Sequence, residues 1–140
     1  MTETERLKAN LEQMGLKRMA GTFELEAERA AQLKTSYSGY LGRLIEEELL
    51  AKTERSVNHR LKKAHFPYVK TVEGFNYGFQ PTLNEVLVRE LAELAFMGRS
   101  ENVVLIGPPG VGKTHLAIGL GVKACAARKR VRFYSAMELL

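Results

Sequence analysis

Apolar positions in the first half of the chain recur at spacings of three and four, the repeat of a helix with one buried face. Leu7, Leu11 and Met14 share such a face ahead of Gly15, and Leu16, Met19, Phe23, Ala27 and Ala30 continue the pattern beyond it. A third helical stretch is predicted from about Ser38 to His65, interrupted by Gly39 and Gly42. Within it Lys52, Arg55, His59, Lys62 and Lys63 fall on one side, and Leu50, Val57, Leu61 and Ala64 fall on the other. Leu41 and Ile45 project toward the side that later becomes basic, so the buried face changes along this helix near the Glu46, Glu47, Glu48 cluster.

Residues 66–81 break the periodicity with two prolines and two glycines, and space three aromatics at Phe75, Tyr77 and Phe79. They read as an extended linker, with the aromatics either pinning it to a neighbour or lying beside a base. Thr82 to Glu85 then spells a capping box, and Leu83, Leu87, Leu91 and Leu94 give a helix with one apolar stripe. The pattern changes at Asn102 to Ile106, an apolar, β-branched run of the kind a buried parallel strand requires. A helix apolar nearly all round is predicted from about Gly112 to Ala127, and Val131 to Tyr134 predicts a second short strand.

Between the first of these runs and the helix stands GPPGVGKT, residues 107–114, the G-x-x-x-x-G-K-T spacing of a phosphate-binding loop. Eight residues form the expected cradle: Gly107, Pro108, Pro109, Gly110, Val111, Gly112, Lys113 and Thr114. The glycines allow the backbone to curl so that successive N–H groups face a polyphosphate, and the positive end of the following helix favours the anion. Lys113 would reach the β- and γ-phosphates, and Thr114 would offer its hydroxyl to Mg²⁺. The expected fold class is therefore α/β: a helical N-terminal region followed by the start of a P-loop NTPase parallel-sheet domain, truncated. Its expected divisions are 1–65, a linker 66–81, and an incomplete ATP-binding domain 82–140.

Composition changes this picture in two respects. All 16 acidic residues are glutamates, so the aspartate that usually helps hold Mg²⁺ from a second strand is missing. The chain is expected to bind ATP without hydrolysing it alone. At the far end, Ser135 to Glu138 spells a second capping box with only Leu139 and Leu140 after it. That is the start of a helix without its body, and with the missing aspartate it leads us to expect a truncated chain.

Charge and single residues add less. A net charge of +5 leaves an anionic partner open, and residues 52–63 concentrate five Lys or Arg against Glu54. Lys52, Arg55, Lys62 and Lys63 are the candidate DNA contacts, with a solvated face as the alternative. Cys125 is the only cysteine and reads as a small core residue in a reducing compartment. His59, His65 and His115 lack ligand spacing, which excludes an obvious metal site. With a polar start and no apolar run of membrane-spanning length, the expectation is a cytoplasmic protein without a targeting segment.

The linker FPYVKTVEGFNY, the helix VRELAEL, and ENVVLIGPPGVGKTHLAIGLG followed by VRFYSAMELL resemble the IstB-like helper ATPases of insertion-sequence transposition. These are relatives of the DnaC helicase loaders within the AAA+ class. The resemblance covers essentially the whole chain, the helical start being its less distinctive part. It implies an ATP-dependent, oligomeric, DNA-binding regulator that assists a transposase, with Lys113 on phosphate and Thr114 on Mg²⁺. The family's second carboxylate motif, sensor and arginine finger have no counterpart here. In that family the strands flanking the P-loop strand come later in sequence, so both predicted strands would have bare edges and a poorly stable product is expected. A helicase loader of the same fold and a non-catalytic DNA or protein interaction fragment stand as alternatives.

Overall fold

The computed structural model describes residues 1–140, and the chain divides into two compact units, Met1–Arg55 and Ser56–Leu140. Its helices are α1 (Glu3–Gln13), α2 (Lys17–Gln32), α3 (Tyr37–Ala64), α4 (Glu85–Ala92), α5 (Ala95–Gly98), α6 (Lys113–Ala126) and α7 (Ala136–Leu139). A single 3-10 turn occupies Tyr77–Phe79. Neither Gly39 nor Gly42 breaks α3, which is continuous over 28 residues.

In the first unit, α1 opens on a capping box: Thr2 Oγ1 accepts from the Glu5 N–H, and the Thr2 N–H donates to Glu5 Oε2. Gly15, at φ +76°, supplies the left-handed residue that separates α1 from α2. Met19, Phe23 and Leu44 are buried together, with Leu11, Leu16 and Tyr40 packed around them. Ala27, expected on this buried face, is exposed, whereas Glu26 is buried and its carboxylate lies 3.0 Å from Arg43. Glu48 is also buried, accepting from the Met19 N–H at 2.8 Å and pairing with Arg55 at 3.3 Å. Burial pushes the Glu48 carboxyl up, but the Met19 amide and the Arg55 guanidinium outweigh it and hold the group below its ordinary value.

The second unit forms around α6, whose Leu116, Ile118, Leu120, Ala124 and Cys125 are buried. Val72, Phe75 and Val88 join Leu116 and Leu120 in its main cluster. Burial pushes the Cys125 thiol up, with Arg60 opposing, as suits a packed and unreactive cysteine. The helix start near residue 82 differs from expectation. Asn84, not Thr82, is the cap, its Oδ1 accepting from the Leu87 N–H at 3.2 Å, and Val88 rather than Leu87 reaches the core.

The expected α/β class is overturned, because the second unit contains helices and turns but no strand and hence no parallel sheet. A strand exists only through ladder bonds to a neighbour, and neither apolar run has one. Residues 102–106 take part in no backbone hydrogen bond at all. They keep the two-residue alternation of an apolar run lying along a core: Val103 and Leu105 pack inward, while Val104 and Ile106 are 75% and 91% exposed. The run 131–134 makes one such bond, from the Phe133 N–H to the Ala64 carbonyl at the end of α3, at 2.8 Å. No helix is long and apolar enough to cross a membrane.

Candidate functional site

The loop 107–114 lies between the unpaired run 102–106 and α6, and two of its glycines take backbone angles that other residues rarely adopt. Gly110 has φ +78° and Gly112 φ +97°, the latter forming the left-handed N-cap of α6. No side chain caps this helix. None of the N–H groups from Gly107 to His115 donates to a protein acceptor; the first amide in use is that of Leu116, which donates to the Gly112 carbonyl. A helix start normally satisfies its orphan donors with a cap, so this one presents a set of free amides together with the positive end of its dipole.

Lys113 closes the loop. Its half-buried side chain folds back so that Nζ donates to the Gly107 carbonyl at 2.7 Å and to the Pro108 carbonyl at 2.6 Å. The ammonium therefore sits inside the curl. A Cβ on Gly107 would make only ordinary contacts, 3.4 Å from Val111 and 3.9 Å from the Lys113 stem. Thr114, one residue further, is exposed at the helix start. Free main-chain donors, one cation on a flexible stem and a hydroxyl are suited to a bound oxyanion chain, and the loop offers that chain no competing carboxylate.

A cavity of about 360 Å³ opens beside the loop, lined by Gln80, Leu83, Leu105, Pro108, Val111 and Lys113 among others. Larger hollows lie elsewhere, including one of about 600 Å³ in the first unit lined by Glu26, Arg43 and Tyr40. Of these two only the smaller touches the loop, so chemistry and not size singles it out.

Residues 66–81 are held against α6 as a strap. The Phe75 ring packs over Gly112, where an added Cβ would lie 2.5 Å from Cε2. Around it, Tyr77 and His115 make edge contacts at ring separations of 5.0 and 5.3 Å. Nε2 of His115 bonds the Thr71 carbonyl at 2.8 Å, and Glu73 pairs with Lys123. That pairing, chiefly the hydrogen bond from Lys123, holds the exposed Glu73 carboxyl below its ordinary range. Gly119 allows the strap backbone at Thr71 and Val72 to approach α6, and Gly121 does the same for the Phe66 ring.

Sequence reasoning placed His115 on the helix but gave its ring no partner, and it missed Phe75 as the support of Gly112. The signal available was an aromatic-rich segment beside a glycine-rich helix, which does not say which ring meets which glycine.

The candidate DNA contacts divide between the units. Lys52 and Arg55 lie in the first, both exposed, with Arg55 engaged by Glu48 at 3.3 Å. Lys62 and Lys63 lie in the second, exposed and without an acidic partner.

Residues 9–140 match the family model described as IstB-like ATP binding protein. Among curated relatives, an ATP-binding protein named for insertion sequence IS21 of Pseudomonas aeruginosa is 46% identical over 127 residues, covering 91% of this chain and 48% of the relative. One named for IS5376 of Geobacillus stearothermophilus is 39% identical over 136 residues, covering 97% of this chain and 54% of the relative. A third, named for IS232 of Bacillus thuringiensis subsp. berliner, is 32% identical over 136 residues, with 97% and 54% covered. The chain spans about half the length of these curated relatives. With the loop, its lysine and the matched residues all in one stretch of sequence, the chain belongs to the IstB-like ATP-binding proteins of insertion sequences.

Proposed function

We propose that this chain supplies the ATP-binding part of a transposition helper that acts with a transposase on DNA. The observation that carries the reading is the Lys113 ammonium held on two loop carbonyls beneath a helix start whose amides have no acceptor. A triphosphate tail offers better acceptors than the Gly107 and Pro108 carbonyls, because its oxygens carry full charge. Lys113 would exchange those carbonyls for phosphate oxygens, while the amides from Gly110 to Thr114 take the remaining ones. The Walker A residues Gly107, Pro108, Pro109, Gly110, Val111, Gly112, Lys113 and Thr114 thus act together, the prolines shaping the turn and the glycines giving access. Thr114 is the residue of this chain that would hold Mg²⁺ through its hydroxyl, and the cation would supply charge neutralisation to the phosphates there.

ATP binding is read directly by calorimetry on the purified chain with magnesium-ATP. Heat of binding is expected from the unmodified chain and none from Lys113→Ala; equal affinity in the two would refute the loop as the site. Omitting Mg²⁺ should weaken binding in the unmodified chain and change little in Thr114→Val. For the DNA side, the support is the run of exposed cations along α3, with Lys52, Arg55, Lys62 and Lys63 as contacts to backbone phosphates. Association with transposase and assembly of several copies belong to the same reading, and co-purification with an insertion-sequence transposase tests the first.

A further inference from the structure

Positive charge is not shared evenly between the units. The second unit holds twelve Lys or Arg against six Glu, a net of +6, while the first holds nine against ten. Within the second unit, Arg89, Arg99 and Lys123 are paired with glutamates, and Lys113 belongs to the loop. Seven of the remaining cations are exposed with no acidic partner: Lys70, and six that fall in two segments, Lys62, Lys63, Arg128, Lys129, Arg130 and Arg132. They are distant in sequence, yet tertiary contacts bring their two segments together. The Phe133 N–H donates to the Ala64 carbonyl at 2.8 Å, Arg132 Nη1 donates to the Lys63 carbonyl at 3.3 Å, and the Phe66 and Phe133 rings meet at 6.3 Å. The Arg132 guanidinium also lies over the half-exposed Tyr134 ring at 5.2 Å.

We propose that the end of α3 and the segment 128–132 form one composite surface that grips the phosphate backbone of duplex DNA. This rests on the DNA reading above but joins the cations of segment 128–132 to Lys62 and Lys63 as the main contacts. Two observations favour this occupant. Half of the six cations are arginines, whose planar fork matches phosphate oxygens. The apolar residues next to Lys62 and Lys63, namely Leu61 and Ala64, are turned inward, so α3 has no apolar face there to enter an acyl layer.

The test measures binding of a short random-sequence duplex to the 140-residue chain by fluorescence anisotropy, over salt from about 50 to about 200 mM. Removing one cation that neutralises a phosphate should lower the log–log salt slope by about one. Lys129→Gln/Arg130→Gln should therefore lower it by about two, while Lys8→Gln/Lys17→Gln leaves it unchanged. Arg128→Gly separates binding from folding: DNA affinity should fall while Tm holds or rises, because the strained backbone at φ +63° is relieved. A duplex bound by the unmodified chain with a slope untouched by these variants would overturn the composite surface and leave the DNA reading standing. No duplex binding by the unmodified chain would sink both. ATP binding by the same variants should persist, and its loss would show that the residues act through the fold. Phosphatidylserine vesicles provide the remaining outcome: vesicle binding that depends on Arg128 to Arg132, with duplex binding that does not, assigns the surface to a membrane instead.

Discussion

Gly112→Ala tests how the strap and the loop are joined, and its cost follows from two separable causes. The backbone at Gly112 sits at φ +97°, where a Cβ costs about 1–2 kcal/mol in an L-residue. The added methyl would also lie 2.5 Å from Phe75 Cε2 and 3.1 Å from Cζ. An exposed ring would swing aside cheaply, but Phe75 is 8% exposed and wedged between Tyr77 and His115. Overpacking of that kind costs about 1–3 kcal/mol. The two causes together predict a loss of about 2–5 kcal/mol in the stability of the second unit.

Phe75→Leu removes the ring atoms that clash and keeps most of the apolar volume, at a cost of about 1 kcal/mol. In that background Gly112→Ala should lose only the backbone part, about 1–2 kcal/mol, so a double-mutant cycle should return a coupling of about 1–3 kcal/mol. Urea unfolding of the four chains measures this, provided the slopes agree. Additive losses would refute the contact between Phe75 and the loop, and with it the account of how the strap positions Gly112.

Other outcomes follow from single contacts. Glu48 has its carboxyl lowered, so its contribution to stability is complete above the ordinary carboxylate value and fades as pH falls through the lower folded value; urea midpoints of the unmodified chain and Glu48→Gln should converge as the solution is acidified below that range. At neutral pH, Glu48→Gln leaves Arg55 without its carboxylate and weakens the acceptor of the Met19 amide, a loss of about 1–3 kcal/mol measurable by the same unfolding. Asn84→Ala removes the only side-chain cap of α4 and should cost about 1 kcal/mol, whereas Thr82→Ala should cost almost nothing, which thermal melts will distinguish. His115→Phe keeps the ring against Phe75 but loses the bond to the Thr71 carbonyl; amide exchange across residues 70–76 should accelerate, and unchanged protection would show that the strap is held by packing alone.

Much of this protein is written in local pattern. The spacing of Met19 and Phe23 predicted the buried face of α2, the apolar run after Lys113 predicted α6, and Ser135 with Glu138 forms the predicted capping box. The G-x-x-x-x-G-K-T spacing of residues 107–114 was legible for the same reason, since a motif of fixed spacing depends on neighbours along the chain. Where the sequence failed, the missing quantity was in most cases a partner from elsewhere. Residues 102–106 and 131–134 have strand composition, yet a strand needs a second strand, and no other segment here lies alongside to complete a ladder. Thr82 and Asn84 both suit a helix start, and the choice fell to the residue whose backbone geometry let Oδ1 reach the Leu87 amide.

Glu26 and Glu48 look like surface residues by type, and only the approach of Met19, Arg43 and Arg55 makes their burial tolerable. The same holds for the strap, where Phe75 over Gly112 and His115 on Thr71 join residues that local periodicity could not bring together. Sequence determined the main helices and the place of the glycine-rich loop before α6, because those depend on steric and hydrogen-bonding preferences within a few residues. Tertiary structure decided which side chains support the loop, which carboxylates are buried and which cations share a surface, because each of those is a contact across the fold.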